Sequence, residues 1–108
     1  MTDKAWKAFE RRIAKYLGGK RRGAYTSDGR TGKSDVILSG WSVECKLLSR
    51  PTYGKMVAAA KQAERNREND DDYAIAVVKR KGQYDRDAIV IMRFEEFLRL
   101  YNEVSGER

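Results

Sequence analysis

The chain has 108 residues, 41% of them hydrophobic, which suits one domain spanning residues 1–108 with one modest core. It has no histidine and one cysteine, which excludes histidine-based catalytic triads, Cys/His zinc sites and an internal disulfide. Any metal site must therefore use oxygen ligands, which favours Mg²⁺, with Mn²⁺ as a substitute.

The net charge of +7 is typical of domains that meet a polyanion, although basic surfaces also serve solubility. The basic residues cluster along the chain, which favours the polyanion interpretation. The sequence has no long apolar run and no secretory signal, so we predict no membrane association and a cytoplasmic location.

Hydrophobic periodicity predicts the element order α-β-β-β-α-β-β-α. In chain order these are a helix over 3–17, a strand over 23–27, paired strands over 35–38 and 42–47, a helix over 53–69, strands over 73–79 and 88–92, and a helix over 94–104. The second helix is long enough to cross between parallel strands. The pattern therefore predicts an α/β sandwich, with a mixed central sheet flanked by helices.

The closing helix carries an apolar side that includes Phe97 and Tyr101. Packing of this side on the chain's own sheet is the expected arrangement. The alternative is contact with a second copy of the chain.

The predicted hairpin holds the residues that indicate chemistry. If Ser39 and Gly40 form a two-residue turn, paired residues have numbers that sum to 79, and Asp35 faces Glu44 directly. Lys46 follows on the same side. Like charges placed opposite each other destabilise a sheet, so this pair needs a reason, and a bound divalent cation supplies one.

The roles follow from the residue types. Asp35 and Glu44 can hold a hard cation, and Lys46 can position water or stabilise charge on a phosphate. Alternation turns Cys45 into the core, so it is expected to be a small buried hydrophobe whose backbone carbonyl could serve as a metal ligand. The competing interpretation is an exposed strand face with a weak Glu44–Lys46 pair.

Ser34-Asp35 followed by Glu44-Cys45-Lys46, with an acidic residue on the first helix, resembles the PD-(D/E)XK nuclease superfamily. Ser34 stands where that family commonly has proline. The small size and the Tyr53-Gly54-Lys55 start of the second helix are similar to archaeal and phage Holliday junction resolvases. The resemblance runs over roughly residues 4 to 80 and implies a restriction-endonuclease-like fold with an αβββαβ core.

The resemblance also implies further site residues. Glu10 borders the apolar stripe of the first helix, and it matches the family's acidic position, which implies a metal-site role; the alternative is a solvent-facing carboxylate paired with lysine. Gln62 matches a polar position that helps to organise such sites, or is a solvated helix residue. Ser27 lies in a loop that sometimes carries a catalytic serine, or serves ordinary turn chemistry.

Basic residues near the hairpin are candidates for phosphate contacts, since they lie close to Asp35 in the chain. These candidates are Lys20, Arg21, Arg22, Arg30, Lys33 and Lys55.

The resemblance implies a Mg²⁺-dependent, structure-selective DNA endonuclease that resolves four-way junctions by paired nicks, as a homodimer, in a prokaryotic or phage-infected cell. Two alternatives stay open. One is a restriction, nicking or repair nuclease acting on duplex DNA, and the other is a non-catalytic DNA-binding module.

Overall fold

A computed structural model describes residues 4–23 and 33–106. Its elements are α1 (Ala5–Leu17), β1 (Lys20–Arg21), β2 (Val36–Leu38), β3 (Trp41–Leu48), α2 (Tyr53–Arg65), β4 (Tyr73–Arg80), a 3₁₀ turn (Asp85–Asp87), β5 (Ile89–Ile91) and α3 (Phe94–Val104). None of the helices in these ranges combines the length and the apolar character needed to cross a membrane.

The five strands form one mixed sheet in the order β1-β2-β3-β4-β5. The pairing of β3 with β4 is parallel, and the other three pairings are antiparallel. The helix α2 connects the two parallel strands, as the crossover prediction requires. The mixed α/β class is therefore confirmed, as is the order of elements from β2 to α3.

The hairpin register is confirmed as well. Val36 pairs with Val43, and Leu38 pairs with Trp41, so paired numbers sum to 79 around the turn at 39–40. Gly40 has a φ of +85°, a conformation that a side chain would strain. The turn therefore fixes which residues of β3 lie opposite Asp35.

Two helices cover the two sides of the sheet. On one side, Phe9 and Ile13 of α1 pack in a buried cluster with Val43 and Cys45 of β3. The second cluster joins Ala59 of α2 to side chains of β4. Small alanines on α2 let its backbone lie close to the sheet, where the buried Ser42 hydroxyl donates to the Ala63 carbonyl at 2.6 Å.

The helix α3 packs on the rest of the chain through a polar residue rather than through its apolar side. Its only buried residue is Glu96, whereas five apolar side chains along it are between 41% and 76% exposed and Leu100 is half-buried. The prediction that this apolar side packs on the chain's own sheet is therefore wrong. The exposed side chains are those of Phe94, Phe97, Leu98, Tyr101 and Val104, which we call the α3 stripe.

Several predicted boundaries need correction. The first strand is β1 (Lys20–Arg21), which the sequence did not predict, and Gly18 turns the chain into it in a left-handed conformation (φ +79°) immediately after α1. Residues 24–27 of the strand predicted over 23–27 lie outside the described residues. Gly19 then lets β1 approach β2, since a Cβ there would lie 2.5 Å from the Ile37 carbonyl oxygen. The helix α2 ends at Arg65, four residues before the predicted end, with Asn66 as its C-cap.

Candidate functional site

The carboxylate of Asp35 is held at the edge of the hairpin. Its Oδ2 accepts a hydrogen bond from the Cys45 amide at 2.8 Å, and its own amide donates to the Val43 carbonyl at 2.9 Å. The Arg22 amide donates to the Asp35 carbonyl at 2.8 Å. Both the backbone and the side chain of Asp35 are thus fixed against β3, so the position of the carboxylate is set by the sheet rather than by the preceding loop.

Glu44 lies beside it, deep in the protein at 1% exposure. Its carboxyl group lies next to that of Asp35, and its Oε2 accepts from the Asn66 amide nitrogen at 2.9 Å. Burial first, and the neighbouring Asp35 charge second, raise the pKa of Glu44 to about 7. The two carboxyl groups therefore come together, as the register predicted, in a place where two negative charges are costly without a proton or a cation.

Lys46 supplies positive charge next to this pair. It is half-buried on β3, and its charge opposes the increase in pKa at Glu44 and at Glu10. Its ammonium group forms no ion pair with another residue of the described ranges. The amine is thus close enough to act on the carboxylates and is not committed to any of them.

Glu10 reaches the same region from α1. Its side chain is buried, and its Oε1 accepts from Arg21 Nε at 2.8 Å. Burial, followed by the charge of Asp35, raises the pKa of Glu10, and the guanidinium of Arg21 opposes that increase. The inward placement of Glu10 is confirmed, whereas the alternative pairing with lysine in solvent is wrong, because its partner is an arginine of β1.

A cleft of about 440 Å³ opens beside α1, and both Glu10 and Asp35 line it. Lys7 and Lys33 also line the cleft, so positive charge borders its acidic side chains. Glu44 and Lys46 are not among the lining residues, which places them beneath or beside the opening.

The remaining predicted site residues are placed less centrally. Cys45 is buried in the core as predicted, and burial raises the pKa of its thiol. Gln62 is half-buried on α2. Lys55 is exposed, and its ammonium donates to the Arg50 carbonyl at 3.4 Å. Ser27 and Arg30 lie outside the described residues.

The basic residues in β1 and at its end make structural contacts in addition to contributing positive charge. Lys20 is exposed. Arg21 pairs with Glu10, while Arg22 donates to the Ser34 carbonyl at 2.8 Å and pairs with Glu68 at 3.1 Å. The first pair joins α1 to β1, and the second joins the end of β1 to the segment after α2. Any phosphate contact of Arg21 and Arg22 would compete with their carboxylate partners.

The site also contains a residue that the sequence did not indicate. Asn66 lies one helical turn after Gln62 and binds Glu44 directly. Its position at the end of α2 is typical of a helix cap, which gave no reason to connect it with a strand residue 22 positions away. Only the packing of α2 on β3 reveals the contact.

The residues of this site provide part of the ligand set that a divalent cation needs. Asp35 and Glu44 offer hard oxygen donors, and the repulsion between them is the kind that a cation relieves. Glu10, in contrast, is occupied by Arg21. Within residues 4–23 and 33–106, no group of three acidic or cysteine side chains is arranged to hold a metal ion unaided. The observed donor set is therefore the Asp35–Glu44 pair, which would need water or substrate oxygens to complete it.

Comparisons of the chain with protein-family models, with curated proteins and with solved structures found no match.

Proposed function

We propose that the chain is a metal-dependent DNA endonuclease with a restriction-endonuclease-like fold, similar to the PD-(D/E)XK nucleases and acting on four-way junctions. The observation that carries the proposal is the buried Glu44 carboxyl group next to the half-buried Asp35 carboxyl group, which lines the cleft, with Lys46 beside them. A purely structural role for the two residues is disfavoured, because a buried carboxyl group next to a second one destabilises the fold. An apolar side chain at position 44 would destabilise it less.

The proposed reaction is hydrolysis of a phosphodiester. Water attacks phosphorus in line with the leaving oxygen, the bond from phosphorus to that oxygen breaks, and the leaving alkoxide takes up a proton. Asp35 and Glu44 would hold Mg²⁺ or Mn²⁺, which when bound polarises a phosphoryl oxygen and lowers the pKa of bound water. Lys46 orients the water and stabilises the charge that develops on the non-bridging oxygens.

Asn66 and the Cys45 amide act through the carboxylates. Each donates to one carboxylate oxygen, at 2.9 Å on Glu44 and 2.8 Å on Asp35, and so fixes the direction in which the remaining oxygens point. Arg21 does the same for Glu10, which then assists by charge rather than as a direct ligand. Lys7 and Lys33 at the cleft would meet the DNA backbone, a contact that is independent of sequence.

The decisive experiment compares cleavage and binding in one substrate set. We expect the wild-type chain with Mg²⁺ to place paired nicks in a four-way junction, in preference to linear duplex and flaps. Lys46→Ala should lower the cleavage rate by about 100-fold or more, because a charge that stabilises the transition state is lost. Binding of the junction without Mg²⁺ should survive this change.

Lys15→Ala is the matched control, since it removes an exposed lysine of α1 that borders neither the cleft nor the carboxylates. It should cut at the wild-type rate. Equal cutting of linear duplex would replace the junction proposal with a duplex nuclease of the restriction, nicking or repair type.

A second candidate is a non-catalytic DNA-binding module, which is favoured by one observation, the ion pair of Glu10 with Arg21. This candidate predicts junction binding without cleavage by the wild-type chain at any Mg²⁺ or Mn²⁺ concentration. Under either candidate the chain would act on DNA in the cytoplasm of a prokaryotic or phage-infected cell.

A further inference from the structure

The ion pair between Arg21 and Glu10 lies in the wall of the cleft that Asp35 also lines. Arg21 Nε donates to Glu10 Oε1 at 2.8 Å, and the two side chains are only 20% and 10% exposed. Burial first, and the charge of Asp35 second, raise the pKa of Glu10. The guanidinium therefore neutralises a carboxylate that lies close enough to Asp35 to be affected by its charge.

The same guanidinium has donors left for a second partner. Among the described residues, its two terminal nitrogens have no hydrogen-bond partner. A Cβ built on Gly23, which lines the cleft, would lie 3.6 Å from Arg21 Nη1, and Arg21 Cζ is 5.8 Å from the centre of the Trp6 ring, which also lines it. A phosphate that enters the cleft can thus bind the guanidinium that holds Glu10.

From this arrangement we infer that Arg21 couples the arrival of a phosphodiester to the completion of the metal site. A phosphate in the cleft takes over the guanidinium, and Glu10 is released towards Asp35. The inference rests on the proposed function, since it concerns the regulation of the same site. While Arg21 holds it, Glu10 contributes charge alone, and once released it is the third carboxylate of the site. Arg21 thus acts on the site through Glu10, as a positioning residue.

The coupling follows from charge balance. If a phosphate alone took Arg21, the buried Glu10 carboxylate would be left unpaired beside Asp35, which is costly. If Glu10 turned to a cation while no phosphate was present, the largely buried Arg21 guanidinium would lose its partner instead. When both exchanges occur together, every charge keeps an opposite charge. Phosphate and divalent cation should therefore strengthen each other's binding by the same factor.

The competing arrangement is a bridge, in which Arg21 keeps Glu10 on Nε and binds phosphate through its terminal nitrogens. Glu10 would then remain closed to the cation whether or not substrate is present. The two arrangements differ in a measurable quantity, which is the part of the coupling that depends on Arg21 and Glu10.

The first test measures the Mn²⁺ affinity of the chain without DNA, by electron paramagnetic resonance of the free ion. Arg21→Ala should bind Mn²⁺ roughly tenfold more tightly than the wild type, because Glu10 is no longer withheld from the ion. Lys33→Ala is the matched control, since it removes the same charge from the same cleft but no bond to Glu10, and it should gain less than about threefold. Adding Glu10→Gln to Arg21→Ala should abolish the gain.

The second test measures binding of a fluorescently labelled four-way junction by anisotropy, with Ca²⁺ and with Na⁺ at equal ionic strength. A divalent ion that touches phosphate directly strengthens binding by every variant. The ratio of the two affinities should nevertheless be roughly tenfold larger for the wild type than for Arg21→Ala or Glu10→Gln. Lys33→Ala should bind the junction more weakly but keep the wild-type ratio.

Far-UV circular dichroism checks that the variants fold. If Arg21→Ala does not, Glu10→Gln decides the inference through the second test, because its amide oxygen can still accept from Arg21. Equal Mn²⁺ affinity of the wild type and Arg21→Ala, an equal gain in Lys33→Ala, or the same Ca²⁺ ratio in all variants would each overturn the inference.

None of these readouts is cleavage. A chain that shows the coupling but never nicks DNA would contradict the proposed nuclease and not the role of Arg21. A nuclease that lacks the coupling would contradict the role of Arg21 alone.

Discussion

The helices α1 and α3 both carry aromatic stripes, but they attach to the sheet in opposite ways. The helix α1 buries Phe9 and Ile13 against β3, while Arg12 on its outer side pairs with Asp85 at 2.6 Å. The helix α3 instead buries Glu96 and leaves its aromatic side in solvent. An amphipathic sequence therefore indicates that a helix has a polar side and an apolar side. Which of the two faces the sheet depends on the part of the sheet that the other helices leave uncovered.

The place where α3 meets the sheet explains why its polar side turns inward. The two faces of the sheet are already covered by α1 and α2, so α3 meets the edge of β4 instead. The pairing of β4 with β5 stops at Ala76, which leaves the Ala74 amide without a strand partner. An amide needs an acceptor, and the Glu96 carboxylate supplies it. A polar side thus suits this location better than an apolar one.

The largest expected difference between the two helices concerns their aromatic residues. Phe9→Ala removes a fully buried ring and should lower the free energy of unfolding by about 3–5 kcal/mol, by loss of burial and formation of a cavity. Phe97→Ala should change it by less than about 0.5 kcal/mol, because that ring is 43% exposed. Urea denaturation followed by circular dichroism measures both. Similar losses in the two variants would mean that α3 is anchored by its apolar side after all.

The next effect tests the polar anchor of α3. Glu96→Ala removes the carboxylate partner of Arg67 and leaves the Ala74 amide without its acceptor, so the free energy of unfolding should fall by about 3 kcal/mol. The neighbouring Glu95 is the matched control, because its carboxylate is 79% exposed and pairs only with Arg93 at 3.3 Å. Glu95→Ala should cost no more than about 0.5 kcal/mol. Equal losses at the two positions would show that the buried network does not hold the helix.

The smallest expected effect is the pH dependence of the ion pair between Arg12 of α1 and Asp85. The hydrogen bond from Arg12, and then that from Lys79, hold the pKa of Asp85 at about 2, below its usual value of 3.8. A depressed pKa contributes stability above the usual value and loses it as the pH falls towards 2. Asp85→Asn should therefore lower the free energy of unfolding by about 2 kcal/mol at pH 7 and by much less near pH 2.

Thermal unfolding of the wild type and Asp85→Asn between pH 2 and pH 7 checks this expectation. If the difference in stability between the two proteins stays constant across that range, the contribution of Asp85 is steric rather than ionic. The ammonium of Lys79 gives a reason to expect an ionic effect, since it is buried and lies 2.7 Å from Asp85 Oδ1 and 5.0 Å from the centre of the Phe9 ring.

The sequence supports the local parts of the fold well. The two-residue turn predicted the hairpin register, and the near-continuous apolar run from Tyr73 is typical of a strand buried on both faces, as β4 is. The contact of Asp35 with Glu44 follows from that register. These features depend on neighbours within a few residues or on one strand pairing, which is the range over which periodicity and turn chemistry are informative.

The parts that were missed depend on distant contacts. Asn66 meets Glu44, and Arg21 meets Glu10, only because a helix and a strand pack together after the chain has folded. The orientation of α3 depends on Ala74 in the same way. A polar residue at a helix end or in a basic run looks the same in sequence whether it faces solvent or binds a buried carboxylate, so no local pattern reveals such partners.

The bond from Ala74 to Glu96 also limits how the chain can aggregate. An open strand edge offers its amides and carbonyls to any other chain, and such edges propagate into extended sheets. Beyond the three residues of β4 that pair with β5, the Ala74 amide donates to a carboxylate on a helix. A helix side chain, unlike a strand, provides no further edge to which another strand could pair. Strand addition to this part of β4 is thereby blocked, so an extended sheet cannot begin to grow here.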